Sequence, residues 1–393
     1  MGLILNDLKN VCELEHVCDY VNNRTTSSMN YISTENMLPN KGGISESTII
    51  PPGTTIEYKI GDILISNIRP YFQKIWCADR CGGCSADVLC IRAKENTDSK
   101  YLYYLLSQQA FFDYVMSGAK GCKMPRGDKK QIMQWPVNIP AIDVQKKVVA
   151  ILSSLDNKIR LNRRINDNLE EQAKALFKSW FVDFEPFKGG KFVDSELGLI
   201  PKGWSTGTIY SYIDVIYGAP YKSALFNDKK QGLPLIRIRD LKTYTPQYYT
   251  KEVLPNTEYV ECGDIIAGMD AEFIPHIWRG EKGVLNQRLC KFVPKYDYVS
   301  KYYIYSLVYP KLAFVQSYKV GTTVSHLGKA DIDRFKVIVP PEDIIMQYSK
   351  IVNSYFAEIV KVSNENQILS SLRDTLLPKL MSGELSVEEV SLD

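Results

Sequence analysis

Two segments of this chain, about two hundred residues apart, carry the same long apolar seam, and this feature constrains the fold most. In the first, Val148, Leu152, Leu155, Ile159, Asn162, Asn166, Leu169, Ala173, Leu176 and Trp180 follow alternating steps of four and three residues. In the second, Tyr348, Val352, Tyr355, Ile359, Val362, Asn366, Leu369, Arg373, Leu376 and Leu380 repeat the pattern. Such spacing marks a helix that buries one stripe against a partner helix. Asn157, Lys158, Arg163, Arg164, Asp167, Glu170 and Glu171 lie between the seam positions, so the other faces are expected to be wet. A helix of roughly 38 residues is about 55 Å long at 1.5 Å per residue, longer than the domain it follows, and is expected to project. The seams match in length and phase. The simplest arrangement therefore pairs them antiparallel, as equivalent repeats related by a pseudo-two-fold would be. Asn166 and Asn366 hold the same place in each seam, and two readings of them stand. They either fix register near the pseudo-dyad at some cost in stability, or they are ordinary, partly wet positions.

The repeat extends beyond the helices. Tyr31-Ile-Ser-Thr-Glu-Asn-Met37 corresponds to Leu235-Ile-Arg-Ile-Arg-Asp-Leu241, an alternating strand-like run that leaves toward a loop. Gly61-Asp-Ile-Leu-Ile65 corresponds to Gly263-Asp-Ile-Ile-Ala267, a Gly-Asp turn launching a buried strand, each followed by a tryptophan, Trp76 and Trp278. Gly121 and Ile132 match Gly321 and Ile332, ahead of Val137-Asn-Ile-Pro140 and Val337-Ile-Val-Pro340, a short strand closed by proline. Between the copies, Pro186, Gly189-Gly190 and Pro201 punctuate a connector, and Trp204 opens the second repeat. At 393 residues the chain exceeds one ordinary core. The expected fold is α/β (α+β): a first domain over 1–142, a long helix over 143–182, a connector over 183–204, a second domain over 205–341, a second long helix over 342–382 and an acidic tail over 383–393.

Composition narrows the class. Hydrophobic residues make up 45% and charged residues 24%, the balance of a globular protein and not of a disordered one. No apolar run approaches the ~20 residues that span a bilayer. The Met1 to Asp19 segment carries Asp7, Lys9, Glu13 and Glu15 where a signal peptide has its apolar core, so a cytoplasmic location and no membrane partner are expected. Nine cysteines in such a chain are read as reduced thiols. A net charge of +3 is not that of a protein that coats nucleic acid indiscriminately, although it permits local basic clefts.

The chain resembles the specificity subunits of type I restriction-modification systems along essentially its whole length. The residues that carry the resemblance are Ile151-Leu-Ser-Ser-Leu-Asp-Asn-Lys-Ile159, Trp180-Phe-Val-Asp-Phe-Glu-Pro186 and Leu197-Gly-Leu-Ile-Pro-Lys-Gly-Trp204, which look like that family's central region. Gly263-Asp-Ile-Ile-Ala-Gly-Met-Asp270 and Val284-Leu-Asn-Gln-Arg-Leu-Cys290 look like the core of its target recognition domains. The first repeat departs from this pattern, with Ser66-Asn-Ile-Arg-Pro-Tyr71 and Cys84-Ser-Ala-Asp-Val-Leu-Cys90, so the two domains should read different sequences. The resemblance implies a non-catalytic subunit that recognises a bipartite double-stranded DNA target through two domains separated by a helical spacer. It also implies two methyltransferase subunits docked on that spacer and supplying the S-adenosylmethionine site, with motor-nuclease subunits joining them. The subunit itself would bind no cofactor. The alternatives are a helical scaffold or adaptor, and service to a methyltransferase without a nuclease.

Base and phosphate contacts are expected on the polar loops after the repeated strands, where Arg and amide side chains reach base edges and cations meet phosphate. In the first domain these are Arg69, Tyr71, Lys120, Lys123 and Arg126; the segment Ser117 to Gly127 also has three glycines that would let backbone approach phosphate. In the second they are Lys319, Thr322, Thr323, His326 and Lys329, with Lys222, Arg237, Arg239 and Arg279 elsewhere. Each is also readable as a solvated surface residue. Cys77, Cys81, Cys84 and Cys90 allow a zinc reading, but a strand pair with buried thiols explains them more simply, and no metal is expected. No Asn-Pro-Pro-aromatic or Asp-Pro-Pro-Tyr run, P-loop or cofactor-binding Gly-rich turn occurs, and His16, His276 and His326 stand in unrelated contexts.

Overall fold

The computed structural model describes residues 11–26, 29–47, 53–319 and 326–388. The chain divides into two compact units, Met1–Asn157 with Ser371–Asp393, and Lys158–Ser370. The first long helix, Ile142–Phe181, and the second, Glu342–Ser382, each have one part in either unit. This differs from the expected division, which set the helices apart as separate spacer segments. The reason is burial: the seam residues at each helix end are core residues of a unit.

In the first unit an antiparallel sheet runs in the order Cys18–Tyr20, Val88–Ala93, Ile63–Ser66, Ile75–Cys77. Side chains alternate across it. Ile63 and Ile65 pack with the helices Ser99–Leu106 and Gln109–Ser117 and with Val148, Ile151, Leu152, Leu377 and Leu380 of the long helices. Leu64 faces the other way, joining Ile56, Tyr58, Trp76, Cys84 and Cys90 in a second cluster. Three of these belong to a further sheet of Arg24–Thr25, Thr55–Tyr58 and Gly82–Cys84.

The second unit repeats this plan. Its antiparallel sheet runs Ile213–Tyr217, Leu289–Pro294, Ile265–Gly268, Pro275–Ile277, and its second sheet runs Tyr249–Thr250, Leu233–Ile236, Gly283–Leu285, Tyr259–Val260. The parallel pairing of Leu235 with Val284 has its counterpart in the single parallel bridge from Ile32 to Cys84. A two-strand ladder precedes each long helix, Val11–Glu13 with Pro136–Asn138 and Ser205–Thr208 with Lys336–Val339.

Three landmarks differ from their expected form. The Tyr31 to Met37 run forms no strand and contributes only two isolated bridges, Ile32 to Cys84 and Met37 to Ile44, because Asn36 Oδ1 accepts the Ser33 backbone N–H at 3.1 Å and closes a turn between them. Its counterpart is the turn in which Asp240 Oδ2 accepts the Arg237 N–H at 2.9 Å. The two tryptophans are not at equivalent ladder positions: the Gly61 N–H reaches Ala78 O at 2.9 Å, whereas the Gly263 N–H reaches Trp278 O at 2.8 Å. Both indoles still fill the second cluster of their own unit. The connector is ordered, with a hairpin of Phe192–Ser195 and Gly198–Pro201, and Trp204 packs against Phe181, Phe184 and Phe187 at centroid distances of 6.1, 5.6 and 4.9 Å. Its aromatic content makes it core of the second unit and not a linker.

Within each unit the helices run antiparallel. In the first, Arg373 Nη1 donates to Asp156 Oδ1 at 2.9 Å. In the second, Asn162 Nδ2 donates to Asn366 Oδ1 at 3.0 Å, Asn166 Nδ2 to Ser363 Oγ at 3.0 Å, and the Phe181 ring meets Tyr348 at 4.9 Å. Asn166 and Asn366 thus each bond across the seam but not to each other. Val148, Leu152, Leu155, Ile159, Val352 and Ile359 are buried, and Leu169, Leu176, Tyr355, Leu369 and Leu376 are half-buried.

Candidate nucleic-acid interface

In each unit the Gly-Asp turn aims a strand at a loop. Gly61 and Gly263 sit at φ +89° and +93°, which an L side chain rarely adopts, and the following aspartate accepts the backbone N–H three residues back: Lys59 to Asp62 at 2.7 Å, Glu261 to Asp264 at 2.9 Å. Asp62 also holds Arg92 through two bonds of 2.7 Å, and Asp264 holds Lys301 at 2.6 Å. The strand leaving this turn delivers Asn67 to Tyr71 in the first unit and Met269 to Glu272 in the second.

In the first unit this loop meets the Ser117 to Gly127 segment. The Arg69 N–H donates to Pro125 O at 2.8 Å, Ile68 bridges to Arg126, and Lys120 and Arg126 exchange two backbone bonds of 2.9 Å. Arg69, Lys120 and Arg126 are thereby brought together, with Tyr71 on the adjoining turn and exposed Lys123 in the loop. Acids hold two of the cations: Lys120 Nζ pairs with Asp128 Oδ2 at 2.8 Å and Arg126 Nη2 with Asp87 Oδ1 at 3.0 Å. The bond from Lys120 lowers the Asp128 pKa and the bond to Asp128 raises that of Lys120. Asp128 additionally caps the short helix Lys129–Met133. The glycines play a different part from the one expected. A Cβ on Gly127 would lie 2.7 Å from Val115 Cγ1, and one on Gly118 2.3 Å from Gln131 Oε1, so these two serve packing; only Gly121, at φ +99°, is an exposed turn.

The second unit builds the same junction from other residues. The Leu327 N–H donates to Met269 O at 2.7 Å and Asp270 bridges to His326, as Ile68 bridges to Arg126. Asp270 Oδ1 lies 2.7 Å from His326 Nδ1, and its Oδ2 lies 3.4 Å from Arg288 Nε. Arg239 and Lys329 are exposed. Arg237 lies over the Tyr248 ring at 5.5 Å from its centroid. Lys319 is less available than expected, since its Nζ donates to Asp331 Oδ2 at 2.6 Å and to His326 O at 2.9 Å. Lys222 is exposed, its backbone N–H bound to Glu252, and belongs to another part of the unit around Ala219 and Tyr221. Arg279 is a correction: half-buried, it pairs with Glu170 of the first long helix and lies 5.9 Å from the Tyr244 centroid, while Gln367 Nε2 donates to its carbonyl at 3.0 Å. It joins the sheets of the second unit to the helix pair, and its guanidinium is already engaged there. Thr322, Thr323 and Gly321 lie outside the described residues.

Reading loops from residue type missed Arg288, Asp270, Asp87 and Asp128. The signal of Arg288, Asp270 and Asp87 is weak, because their partners lie well off in sequence, whereas Asp128 pairs with Lys120 only eight residues before it. The four cysteines fall on the strand Ile75–Cys77, the exposed turn at Cys81, and the strands Gly82–Cys84 and Val88–Ala93; Cys84 and Cys90 are buried, and burial pushes the Cys77 thiol up to about 11. Among the described residues no group of three His, Cys, Asp or Glu is placed to hold a metal, and no helix is long and apolar enough to cross a membrane.

Residues 7–171 and 201–370 match the model of the type I restriction modification DNA specificity domain. The chain belongs to that family. Each match takes in one set of sheets and the start of the long helix after it. The chain is 28% identical over 325 residues to the type I restriction enzyme MjaIX specificity subunit of Methanocaldococcus jannaschii, over 76% of this chain and 71% of the relative. It is 24% identical over 433 residues to the HindI specificity subunit of Haemophilus influenzae, over 90% and 94% of the two chains. A solved type I restriction-modification S subunit from M. genitalium aligns with 97% of this chain and 98% of its own at 15% identity, with a TM-score of 0.47.

Proposed function

We propose that this chain is a non-catalytic DNA-reading subunit in which each unit recognises one half of a bipartite duplex target through its loop junction. Catalysis belongs, on this reading, to partners: two methyltransferase subunits that bind S-adenosylmethionine and methylate the target, and motor-nuclease subunits that cut. The observation that carries the reading is the recurrence of one junction in both units with different side chains, Arg69, Lys120 and Arg126 in one and Asp270, Arg288 and His326 in the other. A repeated scaffold with exchanged polar groups suits two readers of unlike half-sites better than a single shared ligand. Lys123, Tyr71, Arg239, Lys329, Arg237, Lys222 and Thr322 remain candidate contacts to phosphate or base.

The test reverses charge in the first unit. Lys120→Glu with Lys123→Glu and Arg126→Glu is expected to weaken binding of the assembled complex to its target duplex by about a hundredfold or more at moderate salt, and to flatten the salt dependence. Unchanged affinity would leave the helical-adaptor reading in its place.

A further inference from the structure

The two junctions differ in where their guanidinium sits. In the first unit the turn before strand Val88–Ala93 carries Asp87, whose carbonyl accepts the Asn67 N–H at 2.9 Å and whose carboxylate holds Arg126. In the second unit the equivalent carbonyl, accepting the Met269 N–H at 2.8 Å, belongs to Arg288. Acid and base have exchanged elements: the base is on the strand turn, the acid is Asp270 on the loop, and His326 stands where Arg126 does. We propose that Arg288, braced by Asp270 and His326, recognises a guanine base edge in the half-site read by the second unit. This rests on the DNA-reading function proposed above.

Three features of the cluster support the assignment. Arg288 is 58% exposed, Asp270 33% and His326 43%, so the group is open to a ligand while internally tied. Arg288 is at φ 75° and Ala271, beside Asp270, at φ 59°. Side-chain-bearing residues held in the left-handed region store strain, and such strain persists where the surrounding structure over-determines it, commonly at ligand-contacting sites. The decisive feature is the donor pattern. The nearest approach of Arg288 to Asp270 is through Nε, and among the described residues no hydrogen bond engages either Nη nitrogen, so both have hydrogens to offer a partner. A guanidinium fork matches two adjacent acceptors, and in the major groove guanine alone offers them, at O6 and N7; adenine sets a donor beside its N7. Asp270 limits the rotamers of a long side chain, which lowers the entropy lost when the fork closes on a base. His326 takes the other carboxylate oxygen and keeps Asp270 in place.

The experiment uses the complete complex of this chain with its methyltransferase subunits. Methylome sequencing first defines the bipartite motif; absence of any methylated motif would defeat the DNA-reading function itself. Each guanine of the motif is then replaced in turn by 7-deazaguanine, which lacks the N7 acceptor, and duplex binding is measured for the parent, Arg288→Ala and Arg288→Lys complexes. The parent is expected to lose about tenfold or more in affinity at one guanine of one half-site. Arg288→Ala should be insensitive there while keeping its response in the other half-site, and Arg288→Lys should keep a weaker sensitivity at the same position. Identical guanine sensitivities in parent and Arg288→Ala overturn the proposal. So does loss of binding to every duplex by both variants in complexes that still assemble, since that would make Arg288 a general anchor.

Discussion

Asp62 and Asp264 show how one residue type organises each unit. A carboxylate one residue after a left-handed glycine closes the turn by accepting a backbone N–H and at the same time holds a cation on the neighbouring strand or helix. Replacing Asp62, which is 1% exposed, with Ala strands the Lys59 N–H and the Arg92 guanidinium. Because Arg92 reaches solvent, the expected cost is about 2 kcal/mol, read from urea denaturation, and not the larger value of a fully enclosed pair. Asp240 presents the opposite case. Burial pushes its carboxyl up to about 6 from the ordinary 3.8. The native chain therefore holds that proton where the unfolded chain has lost it, and this site's contribution to stability falls as pH rises from about 4 to about 6. Asp240→Asn keeps an oxygen for the Arg237 N–H and removes the titration. It should be more stable than the parent at pH 7.5 by about 1–2 kcal/mol, with the difference closing near pH 4; a pH-independent difference would contradict the shift.

At the scale of elements, the long helices combine an apolar seam with a polar stretch. Asn162, Asn166, Ser363, Glu365 and Asn366 exchange bonds across the pair in the second unit, with Asn162 Nδ2 donating to Glu365 Oε2 at 2.8 Å. Such bonds align the helices because a shift of register breaks all of them together. The apolar seam supplies the stability. Leu155 is 7% exposed and Ile359 0%, so Leu155→Asp or Ile359→Asp buries a charge without a partner. Each should lower stability by about 4 kcal/mol or more and abolish assembly with the methyltransferase subunits in co-purification. Normal stability and assembly of either variant would exclude the paired seam as a structural necessity.

For the whole molecule, we propose that the helical spacer implied by the family resemblance sets the spacing of the half-sites by its length. Removing one heptad from each long helix shortens it by about 10 Å, and the methylated motif should lose about three spacer base pairs while both half-sites stay the same. A motif with its spacer unchanged would show that something other than helix length measures the gap. The exchange of residues between the two junctions likewise predicts unlike half-sites, since an Ile68 and Arg126 junction and an Asp270, Arg288 and His326 junction offer different donors.

Much of this architecture was legible in residue order because its signals are local or periodic. Steps of four and three predicted the long helices, the Gly-Asp pair predicted a turn before a buried strand, and the two-hundred-residue repeat predicted two similar units. These follow from backbone geometry and from the burial of one face, and both are written in neighbouring residues. What residue order left open are pairings between distant segments. Nothing local says that Arg279 is taken by Glu170, that Gly127 is needed because Val115 and Asn67 crowd it, or that Trp278 stands opposite the place of Ala78 and not of Trp76. Nor does it say that Arg288 and Asp270 share a junction with His326. A charge becomes a support or a reader according to which side chains the completed fold sets beside it, and only tertiary contact decides that.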